Sequence, residues 1–275
     1  MQIAKLAVRE QLVKTVVRSG NGGAVWVPRG WLGKEVVVIL PERPRLTWKE
    51  RVVHLLEPCL QEVIAAAIYG SYARGEQTPT SDIDVLVITK GKGIRLSTKE
   101  KNIDVTSLSL AALKNAITRY PAIYYQMVRE AEPLINAPAL EELRNTKPSK
   151  GSFIPYLRET KEHLRSNREL LELDKMGGRH VTSYSVLYSA MLRLRGLYIT
   201  RCILKKDAFS SKKFKHWLLD QGMDSAEFRE MYAAYRVVRD DQSTKGLRIS
   251  VITAEKALHI LEKECDALEA ELHDQ

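Results

Sequence analysis

Three aspartates with a distinctive spacing carry the strongest chemical signal in the sequence. Asp82 and Asp84 alternate within an apolar stretch, so a strand places both carboxylates on one face of a sheet. Asp104 lies between Ile103 and Val105 in a second predicted strand. Carboxylates this close repel one another unless a cation lies between them, and hard oxygen ligands favour Mg²⁺. The three aspartates are therefore candidates for a two-metal site that activates a hydroxyl and neutralises phosphate charge.

A glycine and a serine precede this group at the end of another predicted strand. The apolar run from Ile64 to Tyr69 ends at Gly70 and Ser71, after which residues 72–76 are predicted to form a helical turn. Glycine allows close approach of a ligand to the backbone, and the amides at a helix start bind anions. The pattern predicts a phosphate cradle. Arg74 can either pair with a phosphate or brace the turn against a carboxylate.

Each of these pieces has an ordinary structural explanation when it stands alone. A Gly-Ser pair at a strand end is most often a turn, and two alternating aspartates are usually an exposed strand face. Asp104 alone is more often a strand-end cap or a surface residue. The ordered combination at this spacing favours a functional site.

The surrounding segment, residues 46–148, has the pattern of an α/β domain. Thr47 and Glu50 form a predicted capping box, and Pro58 is expected to break the helix that follows. Strands are predicted at residues 64–69, 83–89 and 103–106, and Ser109 is predicted to cap a helix that runs to about residue 119. Alternating strands and helices predict a mixed sheet with flanking helices.

The two flanks differ from this segment. Residues 1–45 carry eight Lys/Arg against three Asp/Glu and read as a small β-rich segment, with strands predicted at 24–28 and 35–40 around glycine-rich turns. Residues 149–275 contain five amphipathic stretches preceded by Ser or Thr, which predicts an all-α bundle of five helices.

Composition bounds the class of protein. The net charge of +9 favours an anionic partner or substrate. The three cysteines are far apart and odd in number, which argues against a disulfide framework and a zinc site. No apolar run approaches the about 18 residues of a membrane span, and the first residues lack the apolar core of a secretory signal. We therefore expect a cytoplasmic protein without a membrane partner.

The central motif resembles the DNA polymerase beta superfamily of nucleotidyltransferases, most closely the minimal nucleotidyltransferases of prokaryotes. The resemblance rests on Gly70-Ser71, ten intervening residues, Asp82-x-Asp84 and the later Asp104. It implies transfer of a nucleoside monophosphate from a nucleoside triphosphate to a hydroxyl. By it, the three aspartates hold two Mg²⁺ ions, and Gly70 and Ser71 hold the phosphates. We add Arg74 and Ser81 as candidate nucleotide-binding residues.

The flanks carry looser resemblances. The helical region resembles HEPN bundles, which accompany minimal nucleotidyltransferases in toxin–antitoxin pairs. Arg236 matches the arginine of the HEPN RNase motif, but no histidine follows it, which argues against RNase activity; Arg158 and His163 do not share a helix face. Residues 14–28 resemble the AbrB-type fold, which implies a homodimer and DNA binding. A hairpin that only packs on the enzyme domain is the alternative.

These observations lead to one leading hypothesis and two alternatives. The leading one is an Mg²⁺-dependent transferase that moves AMP from ATP to a protein or RNA hydroxyl, in a toxin–antitoxin context. The first alternative is a DNA-binding antitoxin or regulator that uses the fold for partner binding. The second is a small-molecule nucleotidyltransferase of the aminoglycoside type. The basic balance counts against the second, since a cationic drug prefers an acidic pocket.

Overall fold

The computed structural model describes residue 12 and residues 14–38, 46–94 and 102–273. The chain divides into two units, residues 1–45 and residues 46–275. The predicted boundary near residue 148 falls inside the second unit, so the separation of a sheet domain from a helical domain stays a prediction.

The first unit contains a short antiparallel hairpin. Strands β1 (Val17–Ser19) and β2 (Gly22–Ala24) pair with Val17 opposite Ala24, around a turn in which Gly20 has a φ of +57°. The strand predicted at residues 24–28 therefore ends early. Its partners in this register would be residues 14–16, which are not in a strand. Residues 35–38 are also not in a strand, and residues 39–40 lie outside the described part.

The second unit contains a four-stranded sheet, two groups of helices, and short 3₁₀ turns. The strands are β3 (Val63–Tyr69), β4 (Ile83–Thr89), β5 (Ile103–Ser109) and β6 (Glu132–Ile135). The helices near the sheet are α1 (Trp48–Leu56), α2 (Gly70–Ala73), α3 (Leu110–Arg119), α4 (Pro121–Glu130) and α5 (Ala137–Asn145). The later helices are α6 (Ile154–Gly177), α7 (Tyr184–Leu204), α8 (Ser211–Asp220), α9 (Ser225–Arg239) and α10 (Val251–His273).

The sheet is mixed, with the order β5-β4-β3-β6. β3 is antiparallel to both β4 and β6, whereas β4 and β5 are parallel. β6 was not predicted from the sequence. It contains Pro133 and lies at the edge of the sheet, where a missing amide donor is tolerated. The predicted fold class of a mixed sheet with flanking helices is confirmed.

The local signals at the start of this unit are also confirmed. The Thr47 hydroxyl accepts from the Glu50 amide, and the Glu50 carboxylate accepts from the Thr47 amide at 2.7 Å. α1 ends at Leu56, and a 3₁₀ turn carries Pro58 into β3. The Ser109 hydroxyl caps α3 by accepting from the Ala112 amide at 3.1 Å. These contacts fix where the chain enters the sheet.

The two faces of the sheet belong to different cores. One face packs on α1 through fully buried side chains; they include Val52, Leu56, Ile68, Ile83, Val85 and Val87. The other face joins a core that continues into the later helices; its members include Leu86, Ile88, Leu113, Ile117, Phe153, Leu157 and Leu194. The continuous core makes residues 46–275 one packed body.

The later region forms five helices, as predicted. α10 packs on α6 and α7, and α9 packs on α7 and α8. The predicted Ser210 cap is confirmed, since its hydroxyl accepts from the Lys213 amide, whereas α9 is capped by Asp224 in place of Ser225. No helix in the described ranges has the length and apolar content of a membrane span. Cys202 and Cys265 are buried free thiols, and Cys59 is half-buried.

Candidate functional site

The register of the parallel strands places two of the predicted aspartates side by side. Asp84 of β4 lies opposite Asp104 of β5, and the same row continues across β3 at Tyr69. Their neighbours Ile83 and Ile103 point to the opposite face and are buried. Alternation along each strand therefore puts both carboxylates on the face away from α1.

The third aspartate lies immediately before β4, which begins at Ile83. Asp82 and Asp104 are exposed, whereas Asp84 is half-buried. Burial, followed by the charges of Asp104 and Asp82, raises the pKa of Asp84 to about 6. Ionisation of Asp84 is thus disfavoured by burial and by its two acidic neighbours, and a divalent cation would relieve the repulsion.

The three aspartates supply the carboxylate oxygens that bind a metal ion, but they do not form a closed set of ligands. In the part of the chain that the structure describes, no three His, Cys, Asp or Glu side chains are arranged to hold a metal ion. Two of the three aspartates are exposed and can adjust their side chains to a ligand. Asp82, Asp84 and Asp104 remain the residues that would hold it.

Gly70 lies against Asp84, and only glycine fits there. Its φ is +73°, in the left-handed region, and a Cβ atom at this position would lie 2.1 Å from Asp84 Oδ2. Residues 70–73 form the single turn α2 directly after β3. The predicted strand-Gly-Ser-turn is therefore present, and its glycine brings the backbone of the turn against the central carboxylate.

A residue that the sequence did not single out holds this turn in place. Glu130, the last residue of α4, accepts the Gly70 amide at 2.9 Å and the Arg74 guanidinium at 2.8 Å, both on Oε1. Its other oxygen accepts from the Gln126 amide nitrogen at 2.7 Å. The Glu130 side chain is only 11% exposed. The Glu130 carboxylate thus already accepts a hydrogen bond from one backbone amide of the turn that is predicted to cradle phosphate.

Arg74 adopts the bracing arrangement, the second of its two predicted roles. Its Nε donates to Glu76 at 2.9 Å while its NH1 donates to Glu130, and its side chain is 11% exposed. Burial lowers the pKa of the guanidinium, but the two carboxylates outweigh burial and leave that pKa above its ordinary value. Arg74 therefore links Glu130, at the end of α4, to Glu76, which follows the turn.

The same network reaches the later helices. Glu76 accepts from the Ser211 amide at 2.8 Å and from the Ser211 hydroxyl at 2.9 Å, at the first residue of α8. The Arg74 and Arg195 guanidiniums lie 5.2 Å and 5.1 Å from the ring centroid of Phe209. Residues 70–76 are therefore docked on the loop between α7 and α8 and on the start of α8.

The remaining predicted residues lie nearby with different surroundings. Ser71 is half-buried in the turn. The Ser81 hydroxyl accepts from the Thr78 amide at 2.9 Å and so stabilises the loop before β4. Tyr69 forms a 3.0 Å hydrogen bond with Thr106, and burial raises the pKa of its phenol to about 12. The role of Ser81 in nucleotide binding stays a prediction.

Comparison with known proteins supports the interpretation of this segment. Residues 50–131 match the family model described as "Nucleotidyltransferase domain". That range contains Gly70, Ser71, Asp82, Asp84 and Asp104, and it ends one residue after Glu130.

The matches outside this family model are weaker. Among solved structures, the chain resembles a nucleotidyltransferase-like protein from Exiguobacterium sibiricum 255-15, at 13% identity and a TM-score of 0.36. The similarity covers 81% of this chain and 76% of that one. No curated protein matches the sequence at a significant level. The assignment therefore rests on the central segment.

Proposed function

We propose that the protein is an Mg²⁺-dependent nucleotidyltransferase that transfers AMP from ATP to a hydroxyl of a protein or an RNA. The observation that carries the proposal is the register of Asp84 with Asp104, beside a turn whose Gly70 lies against Asp84. The match of residues 50–131 to a nucleotidyltransferase domain supports it. The basic balance of the chain agrees with a polyanionic substrate.

In this proposal the acceptor oxygen forms a bond to the α-phosphorus of the nucleotide, and the bond to the β-phosphate oxygen breaks. Pyrophosphate leaves and the hydroxyl proton passes to solvent or to a carboxylate. Asp82, Asp84 and Asp104 would hold the metals. The turn at Gly70 and Ser71 would contact the phosphates through its other donors, because the Gly70 amide already donates to Glu130. Bound Mg²⁺ supplies charge neutralisation and lowers the pKa of the attacking hydroxyl.

The buried carboxylate of Glu130 has a positioning role in this scheme. It fixes the Gly70 amide and Arg74, so the turn is in place before a nucleotide arrives. Preorganised groups contribute more to catalysis than groups that must be ordered during the reaction. Glu76 extends the same restraint to α8 through Ser211.

The N-terminal unit is proposed to form a homodimer with a second copy of the chain and to contact DNA. Its described apolar side chains are largely exposed; Trp26 and Leu32 are each 74% exposed. An isolated two-stranded hairpin is at best marginally stable, which favours a partner for this surface. Light scattering on the purified chain tests the dimer, and a monomer at all concentrations would contradict it.

The transferase itself is tested by incubating the purified protein with each α-phosphate-labelled nucleoside triphosphate, Mg²⁺, and separate protein and RNA extracts. The matched variants are Asp84→Asn and Asp220→Asn, since Asp220 is exposed at the end of α8. We expect label from ATP on one acceptor class with the wild type and with Asp220→Asn. Label that persists in Asp84→Asn, or no label in any condition, would contradict the proposal.

A further inference from the structure

A groove on the surface of α8 and α9 combines aromatic rings with cations. Its volume is about 420 Å³, and its lining residues are Lys215, Ser225, Phe228, Arg229, Tyr232, Ala233 and Arg236. A volume of this size is in the range that accommodates a small organic group. The lining contains three cations and no carboxylate.

The aromatic side of the groove is a stacked pair. The rings of Phe228 and Tyr232 lie 5.5 Å apart with an interplanar angle of 13°. The Lys215 ammonium lies 5.6 Å from the Phe228 centroid. Tyr232 is half-buried, so part of it remains accessible to a ligand. Phe228 itself is buried and supports the ring of Tyr232 from behind. A partly exposed aromatic ring beside a cation is a surface on which a nucleobase can stack.

The cations on the basic side of the groove can contact an anionic ligand. Arg229 and Arg236 are exposed on one face of α9, seven residues apart, which is about 10 Å along the helix axis. That separation suits contacts with different phosphates of one strand. Within residues 46–94 and 102–273, neither of them nor Lys215 takes part in an ion pair, whereas other arginines of the region, such as Arg168 and Arg201, pair with glutamates.

The groove is attached to the candidate active site through α8. Ser211 at the start of α8 donates to Glu76, and Lys215 is one turn farther along the same helix, about 6 Å in rise. Glu76 in turn shares Arg74 with Glu130. A strand lying in the groove is therefore held by an element that is fixed to the catalytic turn.

We propose that this groove binds single-stranded nucleic acid, with a base against Tyr232 and phosphates against Lys215, Arg229 and Arg236. If the bound strand is the acceptor of the transferred nucleotide, this inference rests on the proposed function and favours a nucleic-acid acceptor over a protein acceptor. Binding of a strand in the groove does not itself depend on catalysis. RNA and DNA strands share this chemistry, and the experiment separates them.

The test measures fluorescence anisotropy of labelled RNA and DNA strands of about 12 nucleotides, a length typical of such sites. The full-length protein is titrated at several salt concentrations. Each phosphate contact with a single strand contributes about 0.7 to the slope of log K against log salt. Arg229→Ala/Arg236→Ala is therefore expected to weaken binding about 25-fold at about 0.1 M salt and to reduce the slope by about 1.4.

A second variant tests stacking independently of charge. Tyr232→Leu keeps an apolar side chain of moderate size but removes the aromatic face. We expect it to weaken binding about tenfold and to leave the salt slope unchanged, because base stacking releases no counterions. Thermal unfolding of each variant establishes that the helices remain folded.

The matched control is Arg158→Ala/Arg165→Ala, which removes the same charge from exposed positions on α6. α6 packs on α7 and α10. Equal weakening by the two arginine pairs would overturn the proposal, because binding would then follow net charge alone. Displacement of the strand by free ATP with the same dependence on Tyr232 would also overturn it, since the groove would then be a mononucleotide site.

The outcome is separable from that of the proposed transferase. Asp84→Asn is expected to bind the strand like the wild type while it transfers no nucleotide. Strand binding in the groove without transfer by the wild type would leave this inference standing and remove the proposed function. Transfer to protein without strand binding would remove this inference and leave the proposed function standing.

Discussion

The clearest test of the site geometry is the substitution Gly70→Ala, compared with Gly75→Ala. Both glycines have positive φ, +73° and +67°, so both substitutions strain the backbone to the same degree. They differ in surroundings. A Cβ at residue 70 would lie 2.1 Å from Asp84 Oδ2, whereas a Cβ at residue 75 would have no atom within 4 Å. The pair separates backbone strain from displacement of the carboxylate.

The magnitudes follow from these distances. A non-glycine residue in the left-handed region costs about 1–2 kcal/mol, partly offset by about 0.4–1 kcal/mol from a less flexible unfolded chain. Each variant should lose about 1 kcal/mol from backbone strain, or roughly 2–4 °C in Tm. In Gly70→Ala the carboxylate must also move by about 1 Å to restore contact, and a misplacement of that size can cost about 100-fold in rate.

The assay is nucleotide transfer measured well below the Tm of both variants, together with thermal unfolding. We expect Gly75→Ala to retain transfer within about twofold, and Gly70→Ala to lose at least about 100-fold. Near wild-type activity of both variants would refute the reasoning, because the contact between the turn and Asp84 would then have no role. Equal loss of activity would attribute the effect to strain in the turn alone.

The remaining predictions concern pH and capping, and urea denaturation checks each of them. Burial and the neighbouring aspartates raise the pKa of Asp84 to about 6. In EDTA the contribution of Asp84 to the free energy of unfolding should therefore fall by about 1–3 kcal/mol as pH rises from about 4 to 7, and the difference between wild type and Asp84→Asn should change by this amount. Burial raises the pKa of Glu76, but hydrogen bonds from Arg74 and Ser211 outweigh it and leave that pKa below its ordinary value. Glu76→Gln should therefore cost about 1–2 kcal/mol at neutral pH, and the difference from wild type should shrink as pH falls through that lowered pKa. Thr47→Ala should cost about 1 kcal/mol at neutral pH, because it removes the capping hydroxyl of α1.

Much of the sheet and the carboxylate row could be predicted because the signals are local. The apolar run before Gly70, the alternation at Asp84, and the capping box at Thr47 depend on residues within a few positions of one another. The break of α1 before Pro58 follows from the missing amide donor. Such features are set by the chain itself, and the structure agrees with each of them.

Glu130 could not be predicted in this way. It contacts Gly70 from 60 positions away, and the contact exists only because β6 pairs with β3 and α4 packs against the turn. A partial signal was present: Pro121 is favourable in the first turn of a helix, and Ala122, Tyr125 and Val128 recur at helical spacing. The strand predicted at residues 24–28, which ends at Ala24, fails for the opposite reason. Its local propensity is high, but no partner strand continues opposite it.

The buried network around Arg74 is better explained by positioning than by stability. A desolvated guanidinium shared by two carboxylates gains little over apolar packing, because the cost of removing three charges from water offsets their attraction. What the network does provide is a fixed relation between the Gly70 amide, the end of α4 and the start of α8. Loss of Arg74 would leave both Glu130 and Glu76 without their shared cation, so this one side chain couples the end of α4 to the start of α8. That arrangement suits the proposed reaction, in which the turn at Gly70 and the groove on α8 and α9 would have to be aligned.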